Sequence, residues 1–441
     1  MRSTRRLTAL ALAAALAAGF VQGASAQDLR TLYEAARGYD ATYLAARAQA
    51  QSIEFRAAQA DALTRPTAAV TASATTANID PARLPGGDSN TAQAAISGRW
   101  PIYNPANQVQ IDQARRSLDA AQAELSAAEQ DLIVRLAQAY FDVLAAQDGL
   151  TTATANKTAI TEQLASAKRN FEVGTATITD TREAQARFDL AEAQVIAADN
   201  ELRARRIALD QLVGRQGVTP NPLVAPVTLP PLAPADPEAW VTTADTLHPA
   251  IQRARAALDI AQLETERAKA AEGPTLDAVG SVGGTNASGR YASGFPDFTR
   301  NASVGLQFNL PLYTGGATGN RIKETVALQE RARNDLEAAR RGVALNTRVA
   351  FFGVQSGTAQ VRALEAAESS SKLALEATQL GYRVGVRVNL DVLDAQRQLF
   401  ATQRDLALAR YQVIVGGLQL RQAAGQLAEG DLDAVNALLA K

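Results

Sequence analysis

Two periodicities alternate along the chain, one helical and one of strict alternation, and the whole series occurs twice. Leu29 to about Leu63 is built of strong helix formers and stops at Arg65-Pro66, where the residue before proline is pushed out of the helical region. In Thr67–Thr75 the even positions Ala68, Val70, Ala72 and Ala74 are apolar and the odd ones mostly Thr and Ser. A polar Pro/Gly-rich stretch, Asn78 to Asn90, is expected to be a loop, after which Ala92, Ala94, Ile96, Gly98, Trp100 and Ile102 again hold the even positions. Period two predicts strands with one apolar and one polar face.

From about Pro105 to Phe171 the period becomes helical, with Ile111, Leu118, Leu125, Leu132 and Ala139 every seven residues and Ala114, Ala121 and Ala128 between them. Such a seam packs helices closely because every second contact is small. Roughly 65 residues at 1.5 Å each predict a rod on the order of 100 Å long. A turn at Gly174 leads to a shorter helix, Thr181 to Val213, striped by Ala184, Phe188, Ala191, Val195 and Leu202. A proline-rich connection, 216–240, closes this first series.

The second series keeps the order: a helix over Pro249–Ala271, a strand over Thr275 to about Gly284, a loop Asn286–Phe298, and a strand over Asn301–Leu310. A long helix follows from about Asn320 to Leu380, and a last one from Asp391 to about Leu427. Trp-Pro-Ile-Tyr at 100–103 answers Leu-Pro-Leu-Tyr at 310–313, and RNFEVGTATITDTREAQARF at 169–188 answers LGYRVGVRVNLDVLDAQRQLF at 380–400. Self-similarity at a fixed interval indicates duplication. The expected divisions are a signal peptide at 1–26, a first repeat at 27–215, the linker at 216–240, a second repeat at 241–428 and a tail at 429–441. The expected fold is mainly α with a small β part.

Composition narrows the possibilities. Arg2, Arg5 and Arg6 before the apolar run Leu7–Val21, then Ala24-Ser25-Ala26, form an export signal. The formal charge of −1 becomes about −4 without those arginines, and basic residues are interspersed with acids, which argues against nucleic acid as a partner. With no cysteine and one histidine, thiolate chemistry, lipid attachment through cysteine, histidine metal clusters and a catalytic triad are excluded or nearly so. No cofactor and no enzymatic activity are expected, since no nucleophile, base and oxyanion donors converge.

Four exported strands with one apolar face suit a transmembrane β-barrel, which needs strands of about 9–11 residues. Four cannot close a barrel, so the barrel is expected to be shared between protomers, with pattern alone leaving eight or twelve strands open. A soluble β-domain packed on one face is the plainer alternative. Trp100, Tyr103, Phe308 and Tyr313 gather at one strand end and fit an interfacial aromatic girdle. The two loops would then lie on the opposite, extracellular side.

The paired turns, the two strand exits and their ordered duplication resemble the TolC family of outer-membrane channel proteins over nearly the whole chain beyond the signal. The resemblance implies a homotrimer with a shared 12-stranded transmembrane β-barrel in the outer membrane of a Gram-negative cell. Beneath it would lie a periplasmic α-barrel, with the linker and C-terminal residues forming an equatorial belt. It implies a periplasmic adaptor and an inner-membrane ABC or RND-type transporter as partners, serving type I secretion or small-molecule efflux. The LDVLDAQRQLF turn and the missing cysteine lean towards type I secretion. It further implies a gate latch of Tyr382 and Arg387 with Thr179 and Asp180, and an acidic selectivity ring of Asp391 and Asp394. Helix capping is the plainer account of the acids, with Asp180 and Glu183 as an N-terminal pair. His248 before Pro249 and the clusters Arg203, Arg205, Arg206 and Arg340, Arg341 read as surface features. A periplasmic coiled-coil adaptor and a structural protein of the cell envelope are the competing functions.

Overall fold

The computed structural model describes residues 28–80, 85–175, 177–224, 226–289 and 298–440. The export signal therefore lies outside the described residues, as do the core of the first strand loop and most of the second. Among the described residues the chain forms nine α-helices, a short 3-10 helix (Ala62–Thr64) and one four-stranded sheet, divided into two compact units. One unit comprises 47–125 and 249–341; the other comprises the segments up to 46, 126–248 and 342 onwards.

The first unit holds the sheet. Strands β1 (Thr67–Ile79), β2 (Gly87–Tyr103), β3 (Thr275–Ser288) and β4 (Phe298–Asn309) are antiparallel in the order β1-β2-β3-β4. The two hairpins thus join side by side through β2 and β3, leaving β1 and β4 as unpaired edges. β1 and β2 extend into the stretch expected as loop, since Thr76 pairs with Asn90 and Asn78 with Asp88. Ladder bonds use backbone, so polar side chains do not end a strand. Helices α2 (Ala41–Asp61) and α6 (Pro249–Ala270) precede the two hairpins.

The second unit is helical. Its elements are α1 (Leu29–Tyr39), α4 (Ile178–Val213), α5 (Pro237–Leu247), α8 (Asn389–Ala423), α9 (Asp431–Asn436) and most of the long helices α3 (Pro105–Glu172) and α7 (Ala317–Arg383). Trp240, Phe351, Val354, Leu406, Val413 and Leu420 form one buried cluster. Tyr140, Phe141 and Tyr411 form a chain of ring contacts with centroids 5.4 and 5.5 Å apart. The proline-rich linker and the tail meet, with Leu223 bridged to Leu439 and Ala440 N–H donating to Pro222 O at 2.7 Å. Tyr140 fixes the linker from below, accepting from Asn221 N–H at 2.7 Å. The tail is not plain coil, since α9 forms in it and Asp433 receives Arg30 at 2.6 Å.

The single helix expected over 29–63 is instead two, separated at Asp40. Local propensity permits continuity there; a tertiary ion pair breaks it. Asp40 turns extended (ψ 115°) and its carboxylate caps Tyr43 N–H at 2.8 Å while receiving two bonds from Arg135, both 3.1 Å. Arg135 holds the Asp40 carboxyl below the usual carboxylate range. Asp40→Ala removes a cap and two charge-assisted bonds, and should lower stability by about 2 kcal/mol. A heat-dissociation series of the purified protein checks this, and an unchanged transition temperature would count against it.

Candidate functional site

Two places in the fold carry chemistry that internal packing does not consume: the faces of the sheet, and the turns where the long helices reverse.

On the sheet, register sorts the side chains into two sides. Val70, Ile96, Val282 and Ala302 form one continuous row across all four strands. Ala69, Ser97, Ser281 and Ser303 form a row on the other face, where the hydroxyls of Ser281 and Ser303 lie 2.9 Å apart. Arg99 meets Asp277 at 2.6 Å on that polar side. The apolar side is uncovered in the single chain: Val70 is 74% exposed, Val304 93% and Leu306 69%. An uncovered apolar band of this extent marks a contact with lipid or with other protein.

The four expected girdle aromatics are all exposed. Strict alternation would place Tyr103 on the polar side, but a register shift between Pro101 and Tyr103 sets it opposite Leu276, which in turn faces Phe308. A bulge re-aims a side chain in this way, and proline is tolerated at such a break because it donates no ladder bond. Trp100 keeps its ring on the apolar side and donates Nε1–H to Thr64 O at 3.3 Å. Tyr313 lies beyond β4 and outside the sheet.

At the helix reversals, each long helix ends at a glycine in the left-handed region, Gly174 with φ 78° and Gly385 with φ 81°. The chain turns identically at both, Thr175 N–H returning to Asn170 O at 2.8 Å and Val386 N–H to Gly381 O at 2.9 Å. Only glycine adopts this conformation without strain, which accounts for its recurrence in both copies. The next helices start differently. Thr177, not Asp180, is the N-cap of α4: its hydroxyl accepts from Asp180 N–H at 3.2 Å, while the Asp180 carboxylate accepts from Thr177 N–H at 2.9 Å. In α8 the cap position is Val388, which has no side-chain acceptor, so only Asp391 contributes, accepting from Val388 N–H at 3.4 Å. The expected Asp180–Glu183 capping pair is therefore corrected to Thr177–Asp180.

An open cavity of ≈ 500 Å³ between the turns is lined by Tyr382, Arg387 and Asp180, together with Asn170, Arg383 and Asn389. Thr179 is not in its lining and is exposed. The Tyr382 hydroxyl accepts from Asn170 Nδ2 at 3.1 Å, so its partner in this chain is Asn170 rather than Thr179 or Asp180. Arg387 faces Asp391 at 3.6 Å, within its own turn. Gln163 Nε2 donates to the buried Asn389 side chain, a second tie from the first copy to the second. A third runs from Arg187 on α4 to Asp394 on α8 at 3.3 Å. Asn170, Gln163 and Arg187 escape sequence reasoning, which ranks each copy against its own counterpart and sees no pairing across copies.

Other expected features resolve simply. Arg205 pairs with Glu201 and Asp142, both on helices, and Arg341 with Glu337, as solvated faces do. His248 is more buried than expected, and burial lowers its pKa. Among the described residues no group of His, Asp and Glu could hold a metal, and no helix is long and apolar enough to cross a membrane.

The family model described as outer membrane efflux protein matches residues 32–215 and 240–426. The chain belongs to the outer membrane efflux protein family. Outer membrane protein TolC of Vibrio cholerae is 34% identical over 351 residues, covering 79% of this chain and 80% of that protein. Alkaline protease secretion protein AprF of Pseudomonas aeruginosa is 34% identical over 310 residues, 70% of this chain and 64% of AprF. The solved outer membrane protein VceC of Vibrio cholerae shares the fold with a TM-score of 0.75 at 20% identity, over 90% of this chain and 96% of VceC. As a member of the outer membrane efflux protein family this chain is an outer-membrane channel that extends into the periplasm and serves as an exit duct for export. It is not an enzyme.

Proposed function

We propose that three copies of this chain close a shared barrel of twelve strands and that their helices line a periplasmic passage gated at the turns. The observation that carries the reading is the sheet: an apolar face exposed across four strands, with β1 and β4 unpaired at its edges. An exposed strand edge pairs with another chain unless it is covered. Lipid leaves no water to satisfy open edges, so a membrane sheet must close. About eight strands is the minimum for closure, which one chain cannot reach. The exposed girdle aromatics Trp100, Tyr103, Phe308 and Tyr313 would sit at the periplasmic interface. The two series of elements are two copies of one ancestral unit.

At the turns, Tyr382, Arg387, Asp180 and Thr179 form the latch region and Asp391 with Asp394 the acidic groups at the mouth. Exposed Val173, Val384, Val386 and Val388 surround these turns and offer an apolar surface for a periplasmic adaptor. The adaptor would connect the duct to an inner-membrane transporter. Likeness to a protease secretion protein and the absence of cysteine favour polypeptide cargo and an ABC-type transporter.

Cell fractionation of the tagged full chain tests the core of this reading. The protein should sediment with the outer membrane and run on unheated SDS gels as an oligomer about three times the mass of the heated form. Recovery as a soluble periplasmic monomer would end it.

A further inference from the structure

The acids expected to make the mouth cation-selective are not free in this chain. Asp394 Oδ1 is approached by two guanidinium nitrogens, Arg187 Nη2 and Arg397 Nη2, each at 3.3 Å. Asp391 lies 3.6 Å from Arg387. Arg187 also lies 4.0 Å from Glu183, so each protomer sets three permanently charged guanidiniums against three carboxylates, and arginine does not deprotonate in proteins. All six groups are partly or largely exposed, so the pairs add little to stability. Their effect on a passing ion is different in kind. Charges closer together than the Debye length, about 8 Å at physiological salt, act on the ion as a sum. A ring of carboxylates prefers cations and a ring of arginines prefers anions, so the sign of the sum decides.

We propose that Arg187 and Arg397 are selectivity-determining residues of the mouth, neutralising Asp394 so that the channel discriminates weakly between cations and anions. The proposal rests on the reading that the turns line the narrow end of the passage. The two arginines separate cleanly by position. Arg187 reaches Asp394 from another helix and therefore also ties α4 to α8. Arg397 lies three residues from Asp394 on the same helix, so its removal takes away one of the two guanidiniums on that carboxylate without untying α4 from α8.

Reversal potentials of the full-length oligomer in planar bilayers under a KCl gradient test this. Arg397→Gln should raise the potassium-over-chloride permeability ratio by about twofold or more. Arg397→Lys should keep the wild-type ratio, and adding Asp394→Asn to Arg397→Gln should cancel the rise. If Arg397→Gln leaves the ratio unchanged while Asp391→Asn with Asp394→Asn lowers it, Asp394 acts as a free carboxylate. The neutralisation is then wrong although the mouth is correctly placed. If neither set changes the ratio, the turns are not the narrow end, and the proposal falls with that reading.

Discussion

Gly425→Ala should abolish the heat-resistant oligomer at temperatures where the unaltered protein retains it, a loss of about 3 kcal/mol or more. Gly425 stands at the end of α8 with φ 71°, where the chain turns back through Gly425 N–H to Gln422 O and Gln426 N–H to Arg421 O, both 2.9 Å. A Cβ there would lie 2.5 Å from the Cα and 2.6 Å from the N of His248. Two penalties therefore combine: the left-handed conformation and a clash with backbone, which cannot rotate away as a side chain end can. The clash lies at the junction of α5 and α6, so relief would require moving either helix end. Gly430→Ala is the control, since no atom lies within 4 Å of its would-be Cβ. Equal stability of the two variants in a heat-dissociation series would refute the argument.

Severing the ties between the two copies at the turns should open the mouth. Tyr382→Phe with Arg187→Gln removes the bond from Asn170 and the Arg187–Asp394 pair, and single-channel conductance in planar bilayers should rise about threefold. Arg387→Ser alone should have a smaller effect. Its carboxylate partner, Asp391, stands in the same turn, and all three ties between the copies remain. The contrast between the variants matters more than either value. A larger rise from Arg387→Ser than from the double variant would place the restraint between protomers rather than within one. The asymmetry of the turns fits a movable second copy. Asp180 is engaged in a reciprocal cap with Thr177, whereas Val388 leaves the start of α8 with half of one.

Much of this molecule is legible from pattern because its local and global preferences agree. Helices α3, α4, α6, α7 and α8 begin and end within about four residues of where period, proline and glycine place them, since long runs of strong formers leave little for packing to decide. The strands are legible in part. Alternation is clear in Thr67–Thr75 and Asn301–Asn309, which are exposed, but Val279 and Ala287 interrupt it in β3, where Asp277 and Ala287 are buried, and β1 and β2 continue beyond it into the expected loop. The errors occur where a distant residue intervenes. Asp40 splits a helix because Arg135 holds it, and nothing near Asp40 announces an arginine almost a hundred residues away. Tyr103 is not such an error: the local bulge between Pro101 and Tyr103 sets it opposite Leu276, on the side of Trp100 and Phe308.

Periodicity and duplication in the sequence by themselves determined the kind of elements, their order and their repetition, while the paired turns and strand exits carried the resemblance to the family. These depend on each residue's own preference and on neighbours three, four or seven places along. Only the tertiary structure decided that the hairpins join through β2 and β3, that the tail and linker pair, and that Tyr382 meets Asn170 while Asp394 is shared by Arg187 and Arg397. Apart from the Arg397–Asp394 pair, three residues apart on one helix, each of these is a contact between segments far apart in the chain. Spacing in sequence carries no information about such contacts, because they are made by distance and charge once the helices have packed.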